Sequence, residues 1–474
     1  MKYFFKLFFI LSFILADNHY TKCGFLNEMH NHTRFRPTND TYAPSPNNLF
    51  YIHYDVSGND APSQIDNNSN GVPDYVDEVG IAAEHSLDVI VNQLGFDTFP
   101  PDDDGIYDIY IEDMGSGYYG VNIIDVDYMG NNLGGSSYIK IDNEYEQGEY
   151  YTTGLDGMRV TVVHEFFHAI QRSYQIYPTG NGFLYELTST WIEDIAYPDN
   201  NDYIYWTDNF FDNPEQSIDQ TDGYSVALYG HYLTSEFNDN IIREIWERFK
   251  IINNAMNSID YVIDNNYNST FIETWVDFCS RNFFNGEYLD LNNNFYYYSD
   301  QIYADPITFN VSEPLSGNIS ITNFVLSDES IRIKLFEPTS NIIIDNMQAS
   351  LTSGTLIGNF VLASNILNNQ NIINVDNSTG LCTPVEQIYM VLASSENSIA
   401  DIDITTTTSI VYADFNQDCQ TNILDVIILV DIILNNYNGG QIIPNDLLDA
   451  SDLDLNGNVD ILDIVLLINE IMDI

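Results

Sequence analysis

Apolar and polar positions along this chain follow different rhythms in different stretches. Between about Thr21 and Tyr298 two rhythms are mixed. "YDIYIED" and "SSYIKID" alternate every second residue and predict strands, whereas "YVDEVGIAAEHSLDVIVNQLG" and "NIIREIWERFKIIN" space their apolar residues three and four apart and predict amphipathic helices. From about Ala304 to Ser409 the helical period disappears. Short β-branched runs ("NISITNFVL", "IRIKLF", "GTLIGNFVLA", "QIYMVLAS", "ADIDITTTT") are separated by Ser, Asn, Gly and Pro clusters, the pattern of a small β-sandwich. Beyond residue 410 polar loops alternate with largely apolar helix-length runs. At 474 residues the chain is too long for one core, and the pattern predicts a multidomain protein. The expected parts are an α+β domain over 17–300, a β-sandwich over 301–409 and a small all-α module over 410–474.

The opening "MKYFFKLFFILSFILA" sets Lys2 and Lys6 before an apolar run from Leu7 to Ala16. That run is too short to cross a bilayer and matches a secretory signal with cleavage after Ala16, so residues 1–16 are expected to direct export. No other stretch is apolar and long enough to span a membrane. Composition narrows the partners. With 14 Lys+Arg against 70 Asp+Glu, the net charge of -56 leaves too few cations for nucleic acid or anionic lipid, and suits cation binding. The four cysteines include no C-x-x-C pair, which argues against a cysteine zinc cluster. In an exported protein they allow two disulfides, and Cys23–Cys279 with Cys382–Cys419 is the pairing that keeps each bridge near one part of the chain.

The last part repeats itself. "DFNQDCQTNILDVIILVDIIL" from Asp414 and "DLDLNGNVDILDIVLLINEIM" from Asp452 align without gaps. Asp414, Asn416, Asp418, Asn422 and Asp425 in the first copy, and Asp452, Asp454, Asn456, Asp460 and Asp463 in the second, occupy positions 1, 3, 5, 9 and 12 of a calcium loop. Each loop runs into an apolar helix, with Asp in place of the usual bidentate Glu at position 12. This doubled loop-plus-helix, from about Val411 to Ile474, resembles the dockerin module that docks secreted enzymes onto cohesin receptors. The resemblance implies a cohesin-like partner chosen by positions 10 and 11 of each loop, here Ile423, Leu424, Ile461 and Leu462. Val426, Ile427, Leu429 and Val430 behind them are expected to add to the exposed apolar surface. The first loop departs from the pattern at position 6, where Cys419 replaces the turn glycine that the second keeps as Gly457. A third loop, "DNNSNGVPDYVD", offers Asp66, Asn68, Asn70, the Val72 carbonyl, Asp74 and Asp77 to a structural calcium, with Gly71 at the turn.

"RVTVVHEFFHAIQRSYQ" carries the chemistry. His164 and His168 are four apart, so on a helix both imidazoles reach one ion about two ångströms away. Glu165 is turned by roughly 100° from His164 and is free to act on a water as general base. Tetrahedral zinc needs a third protein ligand. A histidine six residues past His168 is excluded, because Gln171 and Tyr174 stand in that stretch. A glutamate on a second helix is available in "GFLYELTSTWIEDIAYP". There Glu186 is the favoured ligand and Glu193 or Asp194 the partner of a histidine's other nitrogen, with exchange of the two glutamates the open alternative.

"HEFFHAIQ", "ELTSTWIED" and the loop at Asp66 together resemble the gluzincin metallopeptidases, and more narrowly a group of secreted bacterial metalloproteases, over roughly His53 to Phe284. The resemblance implies a thermolysin-like α+β domain and peptide hydrolysis; spacing alone implies metal-assisted hydrolysis. Tyr224 and His231 in "DGYSVALYGHYL" are candidate oxyanion donors, and "GGSSYIKI" is a candidate edge strand for substrate. Whether the residues before His53 form a removable segment stays open. The rival expectation is an adhesion or scaffold protein with a degenerate peptidase fold; a glycan-processing enzyme is a third.

Overall fold

The computed structural model describes residues 21–28, 36–102, 104–115, 118–127, 134–176, 178–284, 295–297, 312–315, 317–338, 342–363, 371–377, 381–383, 387–408, 413–415, 421–434, 448 and 451–472. They divide into two compact units, residues 1–178 with 192–202, and residues 179–191 with 203–474. The division passes through one continuous helix, Gly182–Ala196.

The first unit is a mixed sheet with helices. Its strands are β1 (Thr21–Cys23), β2 (Thr41–Pro44), β3 (Phe50–Tyr54), β4 (Tyr107–Glu112), β5 (Tyr118–Asp127) and β6 (Gly135–Asp142), in the order β1-β5-β6-β4-β3-β2. β4 runs parallel to β3 and β6, and β5 antiparallel to β6. "YDIYIED" and "SSYIKID" are thus strands, as their alternation predicts. β6, however, lies between β4 and β5, so "GGSSYIKI" is an interior strand and not an edge that could receive substrate. Sequence alternation tells which faces a strand buries and says nothing of its neighbours.

The helices of this unit follow α1 (Phe25–Glu28): α2 (Asp74–Leu87) and α3 (Gly154–Gln171). α2 passes into a π-helical turn, Asp88–Gln93, which extends the predicted helix nearly to its expected end. α3 packs on α2, β5 and β6, and from Met158 to Gln171 only Arg159 is not fully buried. A helix apolar on nearly every side is what a central position requires. Any polar group it carries must therefore find its partners inside the protein.

The second unit begins with the N-terminal half of α4 (Gly182–Ala196) and continues through α5 (Asp208–Asp212), α6 (Ala227–Glu236), α7 (Ile241–Ile252), α8 (Ala255–Tyr267) and α9 (Phe271–Arg281). Thr270 and Glu273 form a capping box that starts α9. Further along are β7 (Ser312–Leu315), β8 (Asn318–Leu326), β9 (Arg332–Pro338), β10 (Ile342–Leu351), β11 (Leu356–Ala363), β12 (Asn371–Asn374), β13 (Leu381–Thr383), β14 (Gln387–Ser394) and β15 (Ser398–Thr408). They form two sheets, ordered β13-β10-β15-β8 and β12-β11-β14-β9-β7. Phe336, Phe360, Met390 and Leu392 of one sheet and Leu326, Ile344, Ile402 and Ile404 of the other share one core. The two sheets thus face one another across that core.

The compact units do not follow the expected boundary at residue 300. The reason is that α9 packs on β11 and β14, where Phe283 stacks on Tyr389 with ring centroids 4.1 Å apart and the Asn359 amide donates to Ser280 at 3.1 Å. The expected Cys23–Cys279 disulfide is not formed, and both cysteines are buried. Cys279 lies inside α9, and Cys23 has other neighbours, described below. Of the second expected bridge, the Cys382 side chain and Cys419 lie outside the described residues.

At the C-terminus, α10 (Ile423–Ile433) and α11 (Ile461–Ile471) pack on one another. Each opens with a capping box, Asn422 with Asp425 and Asp460 with Asp463. No helix among the described residues is long and apolar enough to cross a membrane.

Candidate metal centre

α3 sets His164, Glu165 and His168 into the interior, at 2%, 1% and 0% exposure. The two histidines face one spot, their ring centroids 4.9 Å apart. Each has its Nδ1 engaged by an oxygen. His164 Nδ1 is 2.6 Å from Glu193 Oε1, and His168 Nδ1 is 2.7 Å from Gln171 Oε1. An oxygen acceptor fixes the proton on Nδ1 and leaves the Nε2 lone pair for an ion. α4 brings Glu186 to the same spot, so that ligand atoms of His164, His168, Glu186 and Cys23 all lie within 4.8 Å of one another. The four residues are buried, and two imidazoles, a carboxylate and a sulfur are a donor set that suits zinc. The residues therefore fit the ion that the spacing predicts.

Glu186 and Glu193 are two turns apart on α4, and they do different things. Glu186 joins the cluster, while Glu193 holds His164 and pairs with Lys22, whose Nζ is 2.8 Å away. Asp194 is buried on the same helix, but the contact with His164 belongs to Glu193. Lys22 also pairs with Asp202. Burial pulls the Lys22 ammonium down, but Asp202 and Glu193 outweigh it and hold its pKa above the usual value.

Two glycines make room for these carboxylates. A Cβ on Gly120, in β5, would meet Glu165 Cγ at 2.9 Å and Thr161 Cγ2 at 2.6 Å, so the strand approaches α3 only because this position is bare. Gly223, at φ +87°, would press a Cβ to 2.7 Å from Glu186 Cβ and 2.5 Å from the Phe183 carbonyl. Tyr224 follows directly, partly exposed, its ring centroid 5.7 Å from that of Trp206. His231 is at 1% exposure with its ring near Tyr203, and it does not enter the four-residue cluster.

Burial lowers His231 to about 3, from an ordinary 6.5. The unfolded chain takes up a proton there below pH 6.5 and the folded chain does not until about pH 3. Stability from this group is complete above pH 6.5 and drains on acidification at about 1.4 kcal/mol per pH unit. His231→Phe is expected to flatten the acid limb of urea unfolding between pH 6 and pH 3. An unaltered slope would contradict the burial argument.

Sequence reasoning missed Lys22, Cys23, Phe25, Gln171 and Arg172. Gln171 was noted only as the residue that excludes a third histidine. Its place one turn after His168 was the available signal for the role it takes here.

The three loops with calcium-type spacing differ among themselves. In the loop at Asp66, Gly71 N donates to Asp66 at 2.9 Å, Asn70 and Asn68 amides reach Asp77 at 2.8 and 2.9 Å, and Asp74 instead accepts from Asn67. Asp66, Asp74 and Asp77 do not gather into a three-carboxylate group, whereas Asp452, Asp454 and Asp463 do, within 4.8 Å. In the remaining loop Phe415 N and Asn422 N donate to Asp425 at 2.7 and 2.8 Å; Asp414 is described there, and Asn416 and Asp418 lie outside the described residues. Val426 and Leu429 are not on the open face, as expected from sequence, but in the small core with Phe415, Leu453 and Leu467. Ile423, Leu424, Ile427, Ile461, Leu462 and Val465 are exposed. The helical period decides this, because residues three apart share the inward face and their neighbours do not.

No family model matches this chain, and no curated protein matches it.

Proposed function

We propose that the protein is an exported zinc-dependent endopeptidase, attached to a protein partner through its C-terminal calcium-binding module. The observation that carries this reading is the convergence of His164, His168 and Glu186 on one buried spot, with both Nδ1 atoms held by Glu193 and Gln171. Structural zinc sites close with four strong ligands, and catalytic ones use three and leave a position for reaction. Two histidines and a glutamate make a catalytic set.

A zinc ion held there supplies Lewis acidity and makes water nucleophilic at neutral pH. Glu165, next to His164 and outside the ligand set, accepts the proton as water attacks the peptide carbonyl and passes it to the departing amine. Glu193 and Gln171 keep both imidazoles in the ligating tautomer. Tyr224 is the better candidate to donate to the oxyanion, because Gly223 beside it packs on Glu186, while His231 is enclosed. At the C-terminus the exposed Ile423, Leu424, Ile461 and Leu462 support docking to a cohesin-like protein, since a single chain rarely leaves so apolar a patch open. A scaffold with a degenerate site is the weaker reading, because His164, Glu165, His168 and Glu186 are all present.

The purified chain is expected to carry one zinc in this centre and to hydrolyse casein or gelatin. Phenanthroline at saturating calcium should stop the reaction and zinc should restore it. EDTA is the wrong reagent, as it strips calcium too. Hydrolysis indifferent to phenanthroline would overturn the proposal.

A further inference from the structure

The metal centre has four donors, and the peptidase reading uses three. The fourth is Cys23, whose Sγ lies 3.5 Å from His168 Nε2, the nitrogen left for the ion. It reaches the centre on β1, far from α3 in sequence, and β1 is seated by contacts on both sides of the sulfur. Thr21 and Cys23 pair in parallel with Tyr118 and Gly120 of β5, and Gly24 N donates to the Gly120 carbonyl at 3.0 Å. Lys22 enters the site itself as the ion-pair partner of Glu193 and Asp202. Phe25 stacks on the His168 imidazole at 4.0 Å between centroids and 7° between planes, with the Arg172 guanidinium 4.7 Å from the Phe25 ring centroid. Phe25 N also donates to Cys23 Sγ at 3.2 Å, the contact an anionic sulfur favours.

We propose that Cys23 is the fourth ligand of this centre, and that residues 22–25 hold the protein in a latent form by filling both the reactive coordination position and the β5 edge. The proposal rests on the zinc-peptidase reading above. A zinc ion held there would take Cys23 as a thiolate, its proton released to solvent, beside His164, His168 and Glu186. While Cys23 holds the fourth position water is kept from it, and only the small population with the segment displaced hydrolyses peptide. The same short strand covers the backbone groups of β5, the strand that would be the open edge of this sheet without β1 and that carries Gly120 against Glu165. Displacing the segment frees the position and the edge together. Latency suits a secreted peptidase, which must fold without digesting itself.

The full chain is loaded with Co2+ in place of zinc, and casein hydrolysis is followed separately on the zinc form. Wild type should show an intense near-ultraviolet thiolate-to-cobalt charge-transfer band. Cys23→Ala and Cys23→Ser should lose that band while keeping bound cobalt, and should hydrolyse casein on the order of a hundredfold faster, as a protein whose competent state is no longer rare. The wild-type spectrum needs no variant, so a poorly folding substitution leaves the test intact. Cobalt bound in wild type without the band would overturn the ligand assignment and leave the metal-centre reading standing. The band with no gain of activity in either variant would overturn latency. Failure of every form to bind cobalt would overturn the metal centre itself.

Discussion

Glu165→Gln is expected to leave zinc bound and to slow peptide hydrolysis by roughly 10²–10⁴-fold, the usual contribution of a positioned general base. The amide keeps the size and the hydrogen-bonding shape of the carboxylate but cannot take a proton from water. Glu165 lies outside the cluster of donor atoms, and its neighbours Thr161 and Gly120 constrain volume, so the isosteric change should disturb neither His164 nor His168. Measured with the latent segment neutralised by Cys23→Ala, metal content by elemental analysis should match that of the parent while kcat falls. Full activity in the glutamine variant would remove Glu165 from the chemistry. Loss of zinc along with activity would make it a ligand or a structural support.

The second large effect concerns Asp463→Ala. The Asp463 carboxylate is fully buried at the start of α11 and accepts from three backbone N–H groups, Leu453 at 2.8 Å, Asp454 at 3.2 Å and Asp460 at 2.7 Å. It also belongs to the carboxylate group with Asp452 and Asp454. Truncation leaves those donors without an acceptor and takes a carboxylate from the group it forms with Asp452 and Asp454. Bonds to a charged acceptor are worth about 1.5–3 kcal/mol each, so the loss should exceed about 3 kcal/mol. A module whose core is as small as that around Leu429 and Leu467 has little stability to spare. Both helices share that core, so α10 should unfold with α11. In the full chain, the calcium-dependent gain of helical circular dichroism is expected to disappear in Asp463→Ala and to survive in the isosteric Asp463→Asn at higher calcium. An alanine variant that titrates like wild type would show that the loop does not organise the module.

Much of the site was legible because its parts are local. The i, i+4 spacing of His164 and His168 puts two imidazoles on one helix face whatever the rest of the chain does. Glu186 and Glu193 likewise lie two turns apart on α4 by helical geometry alone. The calcium loops are local too, since the positions of their oxygens along the chain decide which can wrap one cation. The strands announced themselves by alternation, and the sandwich by the regular spacing of short β-branched runs. The errors were all of another kind. GGSSYIKI looks like an edge from its sequence and is interior, because strand order is decided by pairing between distant segments. Val426 and Leu429 sit in an apolar run that does not mark its buried face, and they fill the core, because the inward direction of a helix is set by what it packs against.

Local geometry along the chain was enough to give the candidate donors, their helical spacing, the three loops and the alternation that builds two kinds of sheet, since each depends on dihedral geometry repeated over a few residues. Packing between distant segments set Glu193 on His164, brought bare Gly120 and Gly223 against the carboxylates, and placed Cys23 at His168 and not at Cys279, while Gln171 took its place on the other histidine. Contacts between residues 145 apart, as Cys23 and His168 are, leave no periodic trace in a chain. They come into being when buried polar groups, taken from water, must find partners wherever the fold brings them.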